Sequence, residues 1–171
     1  MTRRKSFLIL IVFAATVLVL AGMEAVAARS TAIQQPIRFD HARHMKEDMK
    51  CNQCHTGVDN SPYATLPPIR TCLLCHKEAK GTDPEEAKIR EYAKNGTPIP
   101  WVQVNRLVGH VYFSHGMHVK VGKLDCKECH GEMAQADQPV GRSQIGHLTM
   151  DRCMECHEEK HVNQECLTCH K

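Results

Sequence analysis

All ten cysteines of this 171-residue chain fall into five copies of one pattern, Cys-x-x-Cys-His. The copies run from Cys51 to His55, Cys72 to His76, Cys126 to His130, Cys153 to His157 and Cys166 to His170. Two thiols three positions apart can form thioethers to the two vinyl groups of one haem, and the histidine that follows can turn its imidazole onto the iron. A zinc site would pair Cys-x-x-Cys units without a histidine after every one. A disulfide framework is a poor alternative, because adjacent Cys-x-x-Cys pairs make weak long-range staples. A thioredoxin-like redox motif would occur once, beside a βαβ pattern. The expected cofactors are therefore five covalently bound haem c groups, held by Cys51, Cys54, Cys72, Cys75, Cys126, Cys129, Cys153, Cys156, Cys166 and Cys169. The proximal iron ligands expected are His55, His76, His130, His157 and His170.

Seven histidines remain, and four of them form a second repeat, Phe-x-His-x-x-His. It occurs as Phe39-Asp40-His41-Ala42-Arg43-His44 and as Phe113-Ser114-His115-Gly116-Met117-His118. His41 lies ten residues before Cys51 and His115 eleven before Cys126, which reads as an internal duplication. On a helical turn, imidazoles three apart share a face with Cβ atoms about 5–6 Å apart. Two rings so close cannot serve opposite faces of one haem, but they can serve two neighbouring irons. His41, His44, His115 and His118 are thus candidate distal ligands. His147 and His161 flank the fourth and fifth motifs and are further candidates, at least one being expected to ligate. His110 is a weaker candidate, with a propionate or solvent partner as its alternative. Met150, three residues before Cys153, is another weaker one, and methionine ligation would raise the potential of that haem.

Aromatic residues make up 5% of the chain, a thin supply for an apolar core, so haem is expected to fill the interior. Outside Met1 to Ala27 there remain 19 basic and 18 acidic residues, which gives no basic excess for nucleic acid. At the start of the chain, Arg3, Arg4 and Lys5 precede an apolar run from Phe7 to Met23 broken only by Thr16 and Gly22. That pattern marks residues 1–27 as a signal peptide or signal-anchor helix. Ala25-Val26-Ala27 offers a cleavage site, whereas the length of the run favours a retained anchor. Either way, residues 28–171 are placed on the outer face of the membrane, as a pentahaem domain.

Regular structure should be modest: mostly irregular chain with short α-helices. Asp83 as N-cap, Pro84 at the first position and Glu86 completing a capping box open the clearest helix, which ends at Gly96. Thr97-Pro98-Ile99-Pro100-Trp101 must be extended, and Glu132 to Gly146 reads as a loop. Helix and proline-rich linker would join two duplicated halves, about 36–80 and 108–171. No nucleophile elbow, phosphate loop or dinucleotide turn is visible, so an electron carrier rather than an enzyme is expected.

The paired leads and clustered motifs resemble the class III cytochromes c and their trihaem relatives. A longer match includes Pro36-Ile37-Arg38-Phe39-Asp40-His41, Leu66-Pro67-Pro68, Ile89-Arg90-Glu91-Tyr92, Gly96 to Val102 and Val111-Tyr112-Phe113-Ser114-His115. It is similar to the multihaem cytochrome subunit of alternative complex III and the related quinone reductase complex. The resemblance implies a class III-like fold with an N-terminal apolar helix, at the periplasmic side of the bacterial inner membrane. It also implies partners: an iron–sulfur, molybdopterin-enzyme-like subunit and integral quinone-binding subunits. The function expected is electron relay between a quinone-linked membrane complex and periplasmic redox partners such as another cytochrome. The alternatives are a stand-alone anchored quinol dehydrogenase and a free periplasmic shuttle.

Complete use of the cysteines predicts five haem masses on the purified holoprotein; intact-mass spectrometry finding fewer would refute the count.

Overall fold

Each haem motif is itself a helix nucleus, and the fold is largely a set of such short helices tied together by side chains. The computed structural model describes residues 10–23, 32–107 and 109–170. The chain divides into two units, Met1–Ile33 and Gln34–Lys171. In the first, residues 10–23 are helical (α1), with the Thr16 hydroxyl donating to the Val12 carbonyl at 2.8 Å. No helix of the described residues is long and apolar enough to cross a membrane. Arg3, Arg4, Lys5 and the Ala25-Val26-Ala27 cleavage site lie outside the described residues.

The second unit contains α2 (His41–Met45), α3 (Cys51–Cys54), α4 (Ile69–His76), α5 (Pro84–Lys94), α6 (Cys126–His130), α7 (Met150–Glu159) and α8 (Cys166–Cys169). Among the described residues there is no strand, and the one isolated β-bridge joins Val111 to His170. Helices of four or five residues are far too short to stand alone. Several are capped instead. Asp40 accepts from the Arg43 N–H, Asp125 from Lys127 and Thr149 from Arg152.

α5 begins where its sequence places it, with Asp83 as N-cap and Pro84 in the first turn. It ends at Lys94, two residues before Gly96, which takes the positive φ of 65° that glycine adopts without a Cβ penalty. The capping box is not formed: the Glu86 carboxylate turns away from the helix start and accepts from His76, Lys80 and Gly81. Glu132 to Gly146 contains one 3-10 turn, Met133–Gln135, against which α2 packs; the Ala42 N–H donates to Ala136 O at 3.0 Å.

Side chains do the tethering that a sheet would otherwise do. Gln35 donates to the Val102 and Val140 carbonyls and accepts from the Val102 N–H. Arg38 binds Asp83 at 2.6 Å through its guanidinium and Glu85 through its backbone N–H. The loop after α3 reaches the second half: Pro62 O accepts from the His115 N–H and Ser61 O from Gly116. The buried hydrophobic residues are Ile37, Val58 and Ile99 alone among those described. That is too little apolar burial to offset the chain entropy of a unit this size, so a bulky apolar group is needed inside.

Gly57 is fixed by this packing, because a Cβ there would sit 2.0 Å from Tyr63 O. Gly57→Ala should destabilise the holoprotein by about 1–3 kcal/mol and loosen the 57–65 loop. A lowered thermal midpoint is the expected measurement.

Candidate haem-binding sites

The two Phe-x-His-x-x-His turns have the same ring geometry. Phe39 stacks on His44 (centroids 4.4 Å, planes 24° apart) and meets His41 edge-on (4.7 Å, 85°). Phe113 stacks on His118 (4.3 Å, 26°) and meets His115 edge-on (4.9 Å, 89°). The backbone differs: the first pair lies on α2, whereas the second runs into a π-helical turn, Met117–Val121. In both, the later histidine donates its Nδ1–H to a carbonyl one turn back, His44 to Asp40 at 2.7 Å and His118 to Ser114 at 2.8 Å. This fixes the rotamer and leaves Nε2 as the free lone pair, the arrangement a metal-ligating imidazole needs.

Three of the four distal candidates on these turns face a motif histidine. Ring centroids are 6.1 Å apart for His44 and His76, 6.4 Å for His115 and His130, and 6.1 Å for His118 and His157. His41 lies within electrostatic range of His55; burial first, then His55 and His44, lower its pKa to about 4. A fifth pair forms at the chain end, where His110 and His170 stack at 5.4 Å with planes 24° apart. Two imidazoles trans on one metal, with metal–nitrogen bonds of about 2.0 Å, have ring centres roughly 6 Å apart. The spacing therefore fits one iron between the rings of each of these four measured pairs, and the donor set, two nitrogens beside two thiols, is that of covalent haem. Among the described residues, no three His, Cys, Asp or Glu side chains converge as a metal cage would.

Three of the five proximal histidines are oriented in the same way. His55 donates Nδ1–H to Thr65 O at 2.8 Å and His157 to Asn163 O at 2.6 Å. His76 instead donates to a carboxylate, Glu86 Oε1, at 2.9 Å. The Nδ1 of His130 faces the Asn105 amide at 3.2 Å, and that of His41 is buried without a partner. Burial, with His115 and His55 next, lowers the pKa of His130. Both rings are thus held neutral, as ligation requires.

The thiols connect the motifs in space. Burial and then Cys54 raise the pKa of Cys72. Burial and then Cys51, which is also a hydrogen-bond partner, raise that of Cys126. Cys129 is raised by burial and then by Cys156, and Cys153 by burial and then by Cys169. Numbering the motifs 1 to 5 along the chain, these interactions bring 1 near 2 and 3, 3 near 4, and 4 near 5.

Three sequence candidates are not brought to a motif histidine. His147 and His161 are exposed and pair with no histidine ring among the described residues. Met150 is 60% exposed at the first position of α7. His110 takes the place beside His170. Its signal was weak because the bridge between Val111 and His170 that delivers it links residues far apart in the chain. Glu86 was missed as a partner of His76, since its position three residues after an aspartate read as a helix cap.

Comparison with known proteins places the chain among cytochromes c. The "Class III cytochrome C family" matches residues 20–98, and "Cytochrome c7 and related cytochrome c" matches 111–171. The chain is 32% identical over 163 residues to the "Menaquinone reductase, multiheme cytochrome c subunit" of Nitratidesulfovibrio vulgaris, covering 81% of this chain and 77% of that protein. With that identity over that span, the chain belongs to the family of multiheme cytochromes c of which that subunit is a member.

Proposed function

We propose that this chain is the electron-relay subunit of a quinone-linked membrane complex, facing the periplasm and carrying five haem c groups. The observation that carries the reading is the set of five imidazole pairs beside five thiol pairs. Bound haem supplies one-electron chemistry, with its potential set by axial ligands and surroundings. The residues of this chain set the rest. His41 with His55, His44 with His76, His115 with His130, His118 with His157 and His110 with His170 are the pairs that would hold the five irons. Membrane placement is supported by the basic start and apolar run of residues 1–27, and partnership with quinone-binding and iron–sulfur subunits by the relative's name and by the resemblance of the sequence.

The thiol interactions support a spatial order of 2–1–3–4–5 for the five sites, which differs from chain order. His41 and His44 lie on one turn and serve sites 1 and 2, so those sites must be adjacent. His115 and His118 oblige sites 3 and 4 to be adjacent in the same way. Sites 2 and 5 are then the ends, where electrons would enter and leave. Leu74 and Leu167, inside the motifs of those two sites, are 83% and 81% exposed, the highest values among the large hydrophobic residues described. The corresponding residues of sites 1 and 3 are polar, Asn52-Gln53 and Lys127-Glu128. Apolar contact at the ends suits docking of partner proteins.

Replacing His118 with Met should raise the potential of one haem and leave the other four nearly unchanged in a redox titration. His110→Ala should convert one low-spin haem to high-spin in the absorption and EPR spectra, while His147→Ala and His161→Ala should not. A high-spin signal from either of the latter two would reassign the fifth ligand. A relay would receive its electrons from a partner subunit and not from quinol directly. The isolated holoprotein in liposomes should accordingly be reduced by dithionite but not by menaquinol analogues. Rapid, inhibitor-sensitive reduction by quinol would make it a quinol dehydrogenase instead.

A further inference from the structure

We propose that Glu86 sets the potential of the haem held by Cys72, Cys75 and His76, making this end site the lowest in potential among the five. The inference rests on the reading of His76 as an iron ligand and goes beyond it, to a residue that touches the ligand and not the iron.

The side chain of Glu86 is 10% exposed, and its position is over-determined. Oε1 accepts from His76 Nδ1 at 2.9 Å, from the Lys80 N–H at 2.8 Å and from Arg90 Nη1 at 3.2 Å, while Oε2 accepts from the Gly81 N–H at 3.2 Å. α4 carries His76 and α5 carries Glu86, and the two helices pack on each other. The contact therefore follows from the fold and not from a chance rotamer. Among the described residues, no other imidazole of the five pairs bonds a carboxylate. His55 and His157 donate to neutral carbonyls.

A proximal imidazole that donates Nδ1–H to an anion gains imidazolate character and becomes a stronger donor through Nε2. Stronger donation favours the oxidised iron and lowers the potential. The distal side of this site works in the same direction, because His44 donates its own Nδ1–H to Asp40 O. Neighbouring site 1 lacks the carboxylate, since His55 donates only to the neutral Thr65 carbonyl and the Nδ1 of His41 is buried without a partner. The largest step in the line should then fall between sites 2 and 1. Arg90 shares Oε1 and screens part of the charge, which limits the effect without abolishing it.

The test is a redox titration of the full-length holoprotein, with EPR of the ferric state, for the wild type, Glu86→Gln and Arg90→Gln. Glutamine keeps an oxygen acceptor for His76 and removes the charge. In Glu86→Gln, the lowest-potential haem should rise by at least about tenfold in its redox equilibrium, 59 mV for one electron, and the g-values of one low-spin haem should shift. In Arg90→Gln the same haem should fall, because the screening cation is gone. Opposite signs at one haem are not expected of two residues that merely hold α4 against α5. Five attached low-spin haems in Glu86→Gln with every potential unmoved would overturn the role of Glu86 while leaving the ligand assignment intact. A Glu86→Gln shift in any haem other than the lowest would overturn the proposal too. A His76→Ala protein in which the low-spin signals all persist would overturn the ligand reading beneath it.

Discussion

Phe39 and Phe113 each lie flat on one imidazole and edge-on to another, and the rest of the molecule depends on that contact. Because the phenyl ring meets its two histidines at angles some 60° different, the imidazoles of one turn point toward different partners. Each aromatic pair adds only about 0.5–1.5 kcal/mol beyond its buried area. Its larger consequence is geometric. A flexible turn with two histidines would sample many rotamers; a turn clamped by phenylalanine, with its later histidine bonded through Nδ1–H to its own backbone, holds two imidazoles at fixed angles and with them the lone pairs that would bind iron. Those lone pairs decide where two motif histidines must lie, and so where two pairs of cysteines must lie.

The poverty of the apolar core has the same origin. Ile37, Val58 and Ile99 cannot hold a unit this size together, and helices of four or five residues add no independent stability. What joins the segments is a series of polar tethers: Gln35 to Val102 and Val140, Arg38 to Asp83, Pro62 to His115. Such tethers fix register without filling space. Covalent haem fills it, and ligation ties distant segments at the same moment. In a fold built this way, attachment of the cofactor and formation of the native state are one process, as in small metal-dependent domains.

How much of this was legible in the sequence depended on whether the signal was local. The cysteines, the motif histidines and the two Phe-x-His-x-x-His turns are local patterns with a fixed spacing, and the chemistry follows from the spacing. His110 is not local: its partner is His170, and the chain is brought back to it by one β-bridge that no hydrophobic alternation announces. His147 and His161 illustrate the converse, being near motifs in sequence and turned to solvent in the fold. Glu86 was ambiguous for a different reason. An acidic residue at the third position of a helix satisfies a capping rule and a ligand-orienting role equally well, and only the packing of α4 on α5 decides between them. The helix itself was legible because Asp83 and Pro84 act within a single turn.

The proposed order of the sites, and the ligand assignments beneath it, follow from the way the two repeated turns meet. Each turn joins its own motif to a second one, giving the couples 1 with 2 and 3 with 4. The couples meet through their first members: Cys51 lies against Cys126, and the loop after motif 1 bonds His115 and Gly116 at the second turn. Joined head to head in this manner, two like couples put sites 1 and 3 in the middle and sites 2 and 4 outward. Site 5 then extends the line past site 4, through the neighbouring thiols of Cys153 and Cys169 and the bond from the Tyr112 N–H to Cys169 O. A head-to-tail joining of the same couples would have kept chain order and left site 1 at an end. The difference matters because site 1 contains the buried, unpartnered His41 nitrogen, a poor place for water or a docking surface, whereas site 2 carries exposed Leu74. Head-to-head joining keeps the first kind of site inside the line and the second at its end.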